Sequence, residues 1–253
     1  MNYPPTSSAR KRPEKGGAAL REKPLAIDLF CGLGGWTEGL LAEGYRVVGY
    51  DIEAHEYGEE KYPAELVLQD VLTIHGAQFK DAALIVASPP CQEYSYMAMP
   101  WTRAKQIAAA LRGKGEFPQG YRGSRTIAEL TALFDACFRI QREASEAAGH
   151  RIPMVVENVR GAVPWVGRET WSFGSYFLWG DVPALMPRFD GRAKGFAGFK
   201  GFKDFHDCEA ARKWSSKDPR RKQWSAEIAK IPLPLSSWIA RTYLPAASTA
   251  RAA

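Results

Sequence analysis

The chain has 253 residues, 45% hydrophobic and 25% charged, enough for one α/β domain with a core and a small appendage. No apolar run approaches the ~20 residues that span a bilayer, and the basic start MNYPPTSSARKRPEKGG lacks the apolar stretch of a secretory signal, so a soluble intracellular protein is expected. The formal charge of +6 favours polyanionic partners only weakly, and Cys31, Cys91, Cys137 and Cys208 form no C-x-x-C pair with the scattered histidines, which speaks against a zinc site or a disulfide framework.

Residues 1–23, rich in Pro, Gly, Lys and Arg, read as a mobile tail. LAIDLF, from Leu25, is a short apolar run that ends in glycines and suits a buried parallel strand. WTEGLLAEG follows as a short helix stopped at Gly44, RVVGYD as a second strand, AHEYGEEKY as a further helix and ELVLQD as a third strand. AALIVAS is a fourth strand, ended by Pro89 and Pro90. Ile127, Leu130, Leu133, Phe134, Cys137, Phe138 and Ile140 fall at helical spacing and predict a long amphipathic helix over Thr126–Gly149. PMVVENV is a fifth strand, and WSFGSYFLW gives one or two more. Strands alternating with helices imply a mostly parallel α/β sheet covered on both faces. From Gly191 to Trp224 the texture changes: Gly195, Gly198 and Gly201 alternate with Phe196, Phe199 and Phe202, and cations outnumber acids. LPLSSWIARTYL, within 231–247, reads as a closing helix that returns to the core, and 248–253 as a frayed tail.

Five places carry chemistry. Asp28-Leu29-Phe30-Cys31-Gly32-Leu33-Gly34-Gly35 is a glycine-rich turn between a strand and a helix, where glycines let the backbone approach a ligand. Asp51, at the end of the next strand, stands where nucleotide-type folds place an acid for ribose hydroxyls. No G-K-[ST] follows, which excludes a phosphate-gripping loop. Asp70 is placed either to accept from an adenine amino group or to cap a turn. In Ser88-Pro89-Pro90-Cys91-Gln92-Glu93-Tyr94-Ser95, two prolines stiffen a strand exit and present a cysteine at the sheet edge, as suits a nucleophile; a buried structural cysteine is the alternative. Glu157, directly after an apolar run, is a candidate for a carboxyl with a raised pKa, and otherwise a strand-end acid that reaches solvent.

DLFCGLGG, the acid after the second strand, PPCQ-x-x-S and ENV, in this order and spacing, resemble the cytosine-5 DNA methyltransferase family over about residues 25–161. The resemblance implies a class I S-adenosylmethionine-dependent, Rossmann-like catalytic domain over 24–188, with a small basic target-recognition module over 189–230. It implies that S-adenosylmethionine is held by Asp28, Phe30, Cys31, Gly32, Leu33, Gly34, Gly35, Asp51, Ile52, Asp70, Val71 and Pro89. Cys91 matches the family's nucleophile and Glu157 the acid on the target cytosine. Pro90, Gln92, Ser95, Asn158, Val159 and Arg160 are the matching substrate contacts. The implied partner is double-stranded DNA, bound by a cytoplasmic, nucleoid-associated monomer without metal or membrane. The compact size is similar to that of phage and prophage members, with restriction-modification as one setting.

The chain departs from the family in two places. No Q-x-R-x-R string follows ENV, which leaves the family's catalytic arginine unassigned among Arg160, Arg168 and Arg188. The late G-N-[AS]-V motif is absent too, and IPLPLSSWIARTY stands in its place. Residues 96–125 match a loop that in the family closes over DNA, while TRAKQIAAALR within them reads equally as an ordinary helix. An RNA substrate, a catalytically impaired DNA-binding homologue and a partner-dependent subunit are the competing readings.

Overall fold

A computed structural model describes residues 22–95, 99–118, 126–186 and 218–246. The elements are β1 (Leu25–Leu29), α1 (Gly35–Ala42), β2 (Arg46–Asp51), β3 (Glu65–Leu68), β4 (Ala82–Ala87), α2 (Trp101–Leu111), α3 (Ile127–Ala148), β5 (Met154–Asn158), α4 (Val163–Val166), β6 (Trp171–Phe173) and β7 (Tyr176–Gly180). Two further helices are α5 (Pro219–Ala229) and α6 (Leu233–Tyr243). The strands form one sheet in the order β3-β2-β1-β4-β5-β7-β6. The first five run parallel, as the apolar runs predict. WSFGSYFLW becomes an antiparallel hairpin that extends the sheet beyond β5.

Side chains alternate between the two faces, and each face buries its own set. Ile27, Leu29, Val48, Ile85, Ala87, Met154 and Val156 pack beneath α3 with Phe134, Cys137 and Ile140. Ala26, Val47, Leu84, Val86 and Val155 point the other way, against Trp36 and Leu40 of α1 and Leu235 and Ile239 of α6. The long helix starts within a residue of its expected place because Thr126 and Glu129 form a reciprocal capping box, and it stops at Gly149 in a left-handed conformation.

The helix α6 packs on α1. A Cβ on Gly35 would lie 2.3 Å from the Ile231 nitrogen, and one on Gly39 2.3 Å from the Ser236 hydroxyl oxygen, so both glycines permit this close approach. Tyr45 donates to the Ala240 carbonyl at 3.0 Å, Arg241 pairs with Glu43 at 2.6 Å, and Lys230 pairs with Glu38.

The helix expected over AHEYGEEKY is not formed. Gly58 adopts a φ of 66°, and Tyr57 and Glu60 make an isolated antiparallel bridge. Tyr62 is drawn inward, with its phenol 2.6 Å from the Thr37 hydroxyl and its ring against Gly49, so tertiary contacts override the local helical pattern. Residues 187–217, which include most of the expected recognition region, lie outside the described residues, as do residues 1–21 of the tail expected over 1–23 and the whole tail expected over 248–253. Among the described residues no helix is long and apolar enough to cross a membrane.

Candidate active site at the switch in strand order

From β1 the chain turns to β2 on one side, while β4 lies on the other, so the exits of β1 and β4 are neighbours. Such a reversal opens a crevice at the carboxyl ends of the strands. The Ser88 N–H continues the ladder to the Leu29 carbonyl at 3.1 Å, which sets the glycine-rich turn and the Pro-Pro-Cys segment side by side.

The turn after β1 needs unusual backbone. Phe30 has a φ of 56°, and Gly32 and Gly34 have φ of 49° and 80°. Asp51 fastens the turn from β2: one carboxylate oxygen accepts from the Gly32 N–H at 2.9 Å, the other from the Ile52 N–H at 2.8 Å. Burial pushes the Asp51 carboxyl up, but His55 at 3.7 Å and the main-chain donors outweigh it and hold the group below its ordinary range. Ile52 beside it is 72% exposed, an apolar side chain left open at the crevice. The Asp70 carboxylate accepts from the Leu72 N–H at 2.9 Å, so its turn-capping role is realised.

Several expected cofactor contacts turn inward. The Asp28 carboxyl is 1% exposed and accepts from the Thr37 hydroxyl at 2.7 Å, and burial pushes it up to about 8. Cys31 and Leu33 are buried, with burial raising the Cys31 thiol, and Val71 is part of the core. These side chains shape the turn from beneath rather than lining its open surface.

The parallel register of β4 and β5 pairs Val86 with Val155 and Ala87 with Val156. Continued by one and two residues, it brings Ser88 to Glu157 and Pro89 to Asn158, on opposite faces of the sheet. On the α1 face the Trp36 indole N–H donates to the Ser88 hydroxyl at 3.0 Å, and Ser88 in turn donates to the Glu157 carboxyl. Burial pushes Glu157 up to about 8 against the pull of that hydrogen bond, so the protonated form prevails at neutral pH. On the α3 face the Asn158 amide donates to the Pro89 carbonyl at 2.8 Å, and its oxygen accepts from the Val159 N–H at 2.9 Å. Asn158 is thus a buried strut between the two strand exits, where a substrate contact was expected.

Cys91 is partly buried and opens a tight turn, its carbonyl accepting from the Tyr94 and Ser95 N–H groups at 2.9 and 2.8 Å. That turn is pressed against the loop after β5: a Cβ on Gly161 would sit 1.8 Å from the Tyr94 carbonyl oxygen. The Tyr94 phenol anchors the far side of the turn to the Leu130 carbonyl at 2.7 Å.

Residues 25–103 match the model of the C-5 cytosine-specific DNA methylase family. The matched segment runs from β1 to the start of α2 and contains the glycine-rich turn, Asp51, Asp70 and Cys91; Glu157 lies beyond it. No curated protein matches the chain. Among solved structures, a DNA modification methyltransferase encoded within a prophage of E. coli is 20% identical, with a TM-score of 0.33 over 55% of this chain and 33% of that one. The S. pombe Dnmt2 methyltransferase is 14% identical, with a TM-score of 0.33 over 56% and 36%. The Entamoeba histolytica methyltransferase EhMeth is 17% identical, with a TM-score of 0.35 over 56% and 39%. The chain spans about a third of the length of these structures.

Beside the Cys91 turn, TRAKQIAAALR is helical and forms most of α2. Its inner face packs Ala104 and Ile107 with Met99 against Trp165, whose ring meets Phe117 edge-on at 5.2 Å. Arg103 reaches back to within 4.0 Å of the Glu93 carboxylate, while its Nε and Nη2 and the Gln92 side-chain oxygen are buried and have no hydrogen-bond partner among the described residues. Pro90, Gln92 and Ser95 flank Cys91, all partly buried. Val159 is partly buried, whereas Arg160 and Arg168 are exposed, and Arg188 lies outside the described residues. Sequence reasoning did not single out Trp36, Ser88 or Gly161; counting the parallel register from the two strand ends would have paired Ser88 with Glu157.

Proposed function

We propose that the chain transfers a methyl group from S-adenosylmethionine to carbon 5 of cytosine in DNA. The observation that carries this reading is the convergence, at the β4 and β5 exits, of a cysteine-bearing turn and a carboxyl that stays protonated near neutral pH. The match of residues 25–103 to the C-5 cytosine-specific DNA methylase model supports it.

The strained turn and its surroundings fit the cofactor. Phe30, Gly32, Gly34 and Gly35 would admit its methionine part, Asp51 its ribose, and the exposed Ile52 its adenine, with Asp70 alongside. When bound, S-adenosylmethionine supplies an electrophilic methyl group. The chain's own groups make carbon 5 reactive toward it. The Cys91 thiolate adds to carbon 6 of cytosine while the Glu157 proton passes to nitrogen 3, and the displaced electron pair makes carbon 5 an enamine carbon. Once carbon 5 has taken the methyl group, a base removes the carbon-5 proton, the 5,6 double bond re-forms as the thiolate leaves, and the proton on nitrogen 3 returns to Glu157. A base inside a duplex cannot reach Cys91, so the cytosine is flipped out, at a cost of a few kcal/mol. Asn158 and Gly161 hold the two loops in register. We assign catalysis to 24–188, target recognition to 189–230, and support of α1 to 231–247.

The test is to incubate the chain and C91A with unmethylated duplex and S-adenosylmethionine, and to map 5-methylcytosine at base resolution. Methylation by the parent, lost in the variant by at least about 10⁴-fold, is expected. Modification of RNA alone, or none from a folded chain that binds the cofactor, would overturn the reading.

A further inference from the structure

We propose that Trp101 and Lys105, on the outer face of α2, form a nucleic-acid contact in which the indole stacks on an unpaired base of the substrate and Lys105 meets a backbone phosphate. The proposal rests on the DNA reading above and names a part of its interface.

Trp101 is 71% exposed at the first turn of α2, and the Lys105 ammonium stands 5.3 Å from the centroid of its ring. At i and i+4 the two side chains share a helix face. The helix is braced from its opposite side, through Arg103 toward Glu93 of the Cys91 turn and through Ala104 and Ile107 toward Trp165. Trp101 is therefore carried on a braced element at the shoulder of the site, with the ammonium to one side of its ring. A large flat apolar side chain in water, held next to a cation, matches a nucleobase with its phosphate. The charge agrees: residues 101–115 contain Arg103, Lys105, Arg112 and Lys114 and no acid. Any π-face satisfies the stack, so this contact strengthens binding without reading sequence.

The test is fluorescence anisotropy of a labelled duplex carrying a mismatched cytosine, and of its fully paired counterpart, with the parent chain, W101A, W101F and K105A over a range of salt, and with S-adenosylmethionine affinity measured in parallel. W101A is expected to bind the mismatched duplex about tenfold more weakly, with a smaller loss on the paired one, and W101F to recover most of it. K105A is expected to reduce the magnitude of the salt slope by about 0.9. All three variants are expected to bind S-adenosylmethionine as the parent does. W101A binding DNA like the parent, an unchanged salt slope in K105A, or a parallel loss of cofactor affinity would overturn the proposal while leaving the methyltransferase reading intact. A parent chain that binds no DNA would remove that reading and this contact together.

Discussion

On the α1 face of the sheet, the end of β5 presents Glu157 to Ser88 and Trp36; one residue on, across the sheet, it presents Asn158 to Pro89. The first arrangement is ionisable and the second is not. Asp28, with Thr37 and Tyr62, lies on the same side as Glu157, so both carboxyls that burial raises to about 8 face α1. The α3 side meets the same exits with a neutral amide and a glycine. Two successive residues of one strand thus divide the work, one holding a proton and the other holding a loop.

The sharpest way to break this division is to change Glu157. E157Q keeps the shape and removes the transferable proton, so the methylation rate should fall by about 10²–10⁴-fold, with cofactor affinity retained. In the parent, the rate should decline above about pH 8 as Glu157 ionises. The stability consequence has a definite sign. The unfolded carboxyl ionises from about 4.5 while the folded one keeps its proton to about 8, so stability is greatest below that window and is lost through it as pH rises. E157Q should flatten the dependence of urea unfolding on pH between those values by one proton, about 1.4 kcal/mol per pH unit.

The α3 side should respond differently. G161A drives a methyl group into the Tyr94 carbonyl and should cost about 1–3 kcal/mol, with a matching loss of activity because the Cys91 turn must move. N158A leaves the Pro89 carbonyl and the Val159 N–H without their side-chain partner and should cost a similar 1–3 kcal/mol in urea unfolding. Neither should move the alkaline limb of the rate. The smallest effect on the rate is expected from S88A: without the hydrogen bond that pulls Glu157 down, the limb should shift to higher pH, and loss of the acceptor for the buried Trp36 indole N–H should cost about 1–3 kcal/mol in urea unfolding. A limb that moves in N158A but not in S88A would reverse the assignment of the two faces.

Much of this was legible in the sequence because the informative elements are local. The parallel strands announce themselves as short apolar runs, the long helix carries its own capping box, and the Pro-Pro-Cys segment marks a strand exit. What was not legible depends on partners distant along the chain. Tyr62 unmakes an expected helix by bonding Thr37, Ser88 acquires its role from Glu157, and Asn158 shows which way it points only when Pro89 is beside it. The same holds for α2, whose helical pattern was readable but whose bracing against Glu93 and Trp165 was not.

The docking of α6 on α1 has a consequence for the order in which the molecule comes together. Tyr45 and Ala240 are 195 residues apart along the chain, and the pair Glu43–Arg241 is 198 apart. At ribosomal rates of about 5–20 residues per second, roughly 10–40 s separate the emergence of α1 from that of the helix that covers it. For that interval the α1 layer over Ala26, Leu84 and Val86 has only part of its cover, so the nascent chain is most in need of a chaperone after β7 has emerged and before α6 arrives.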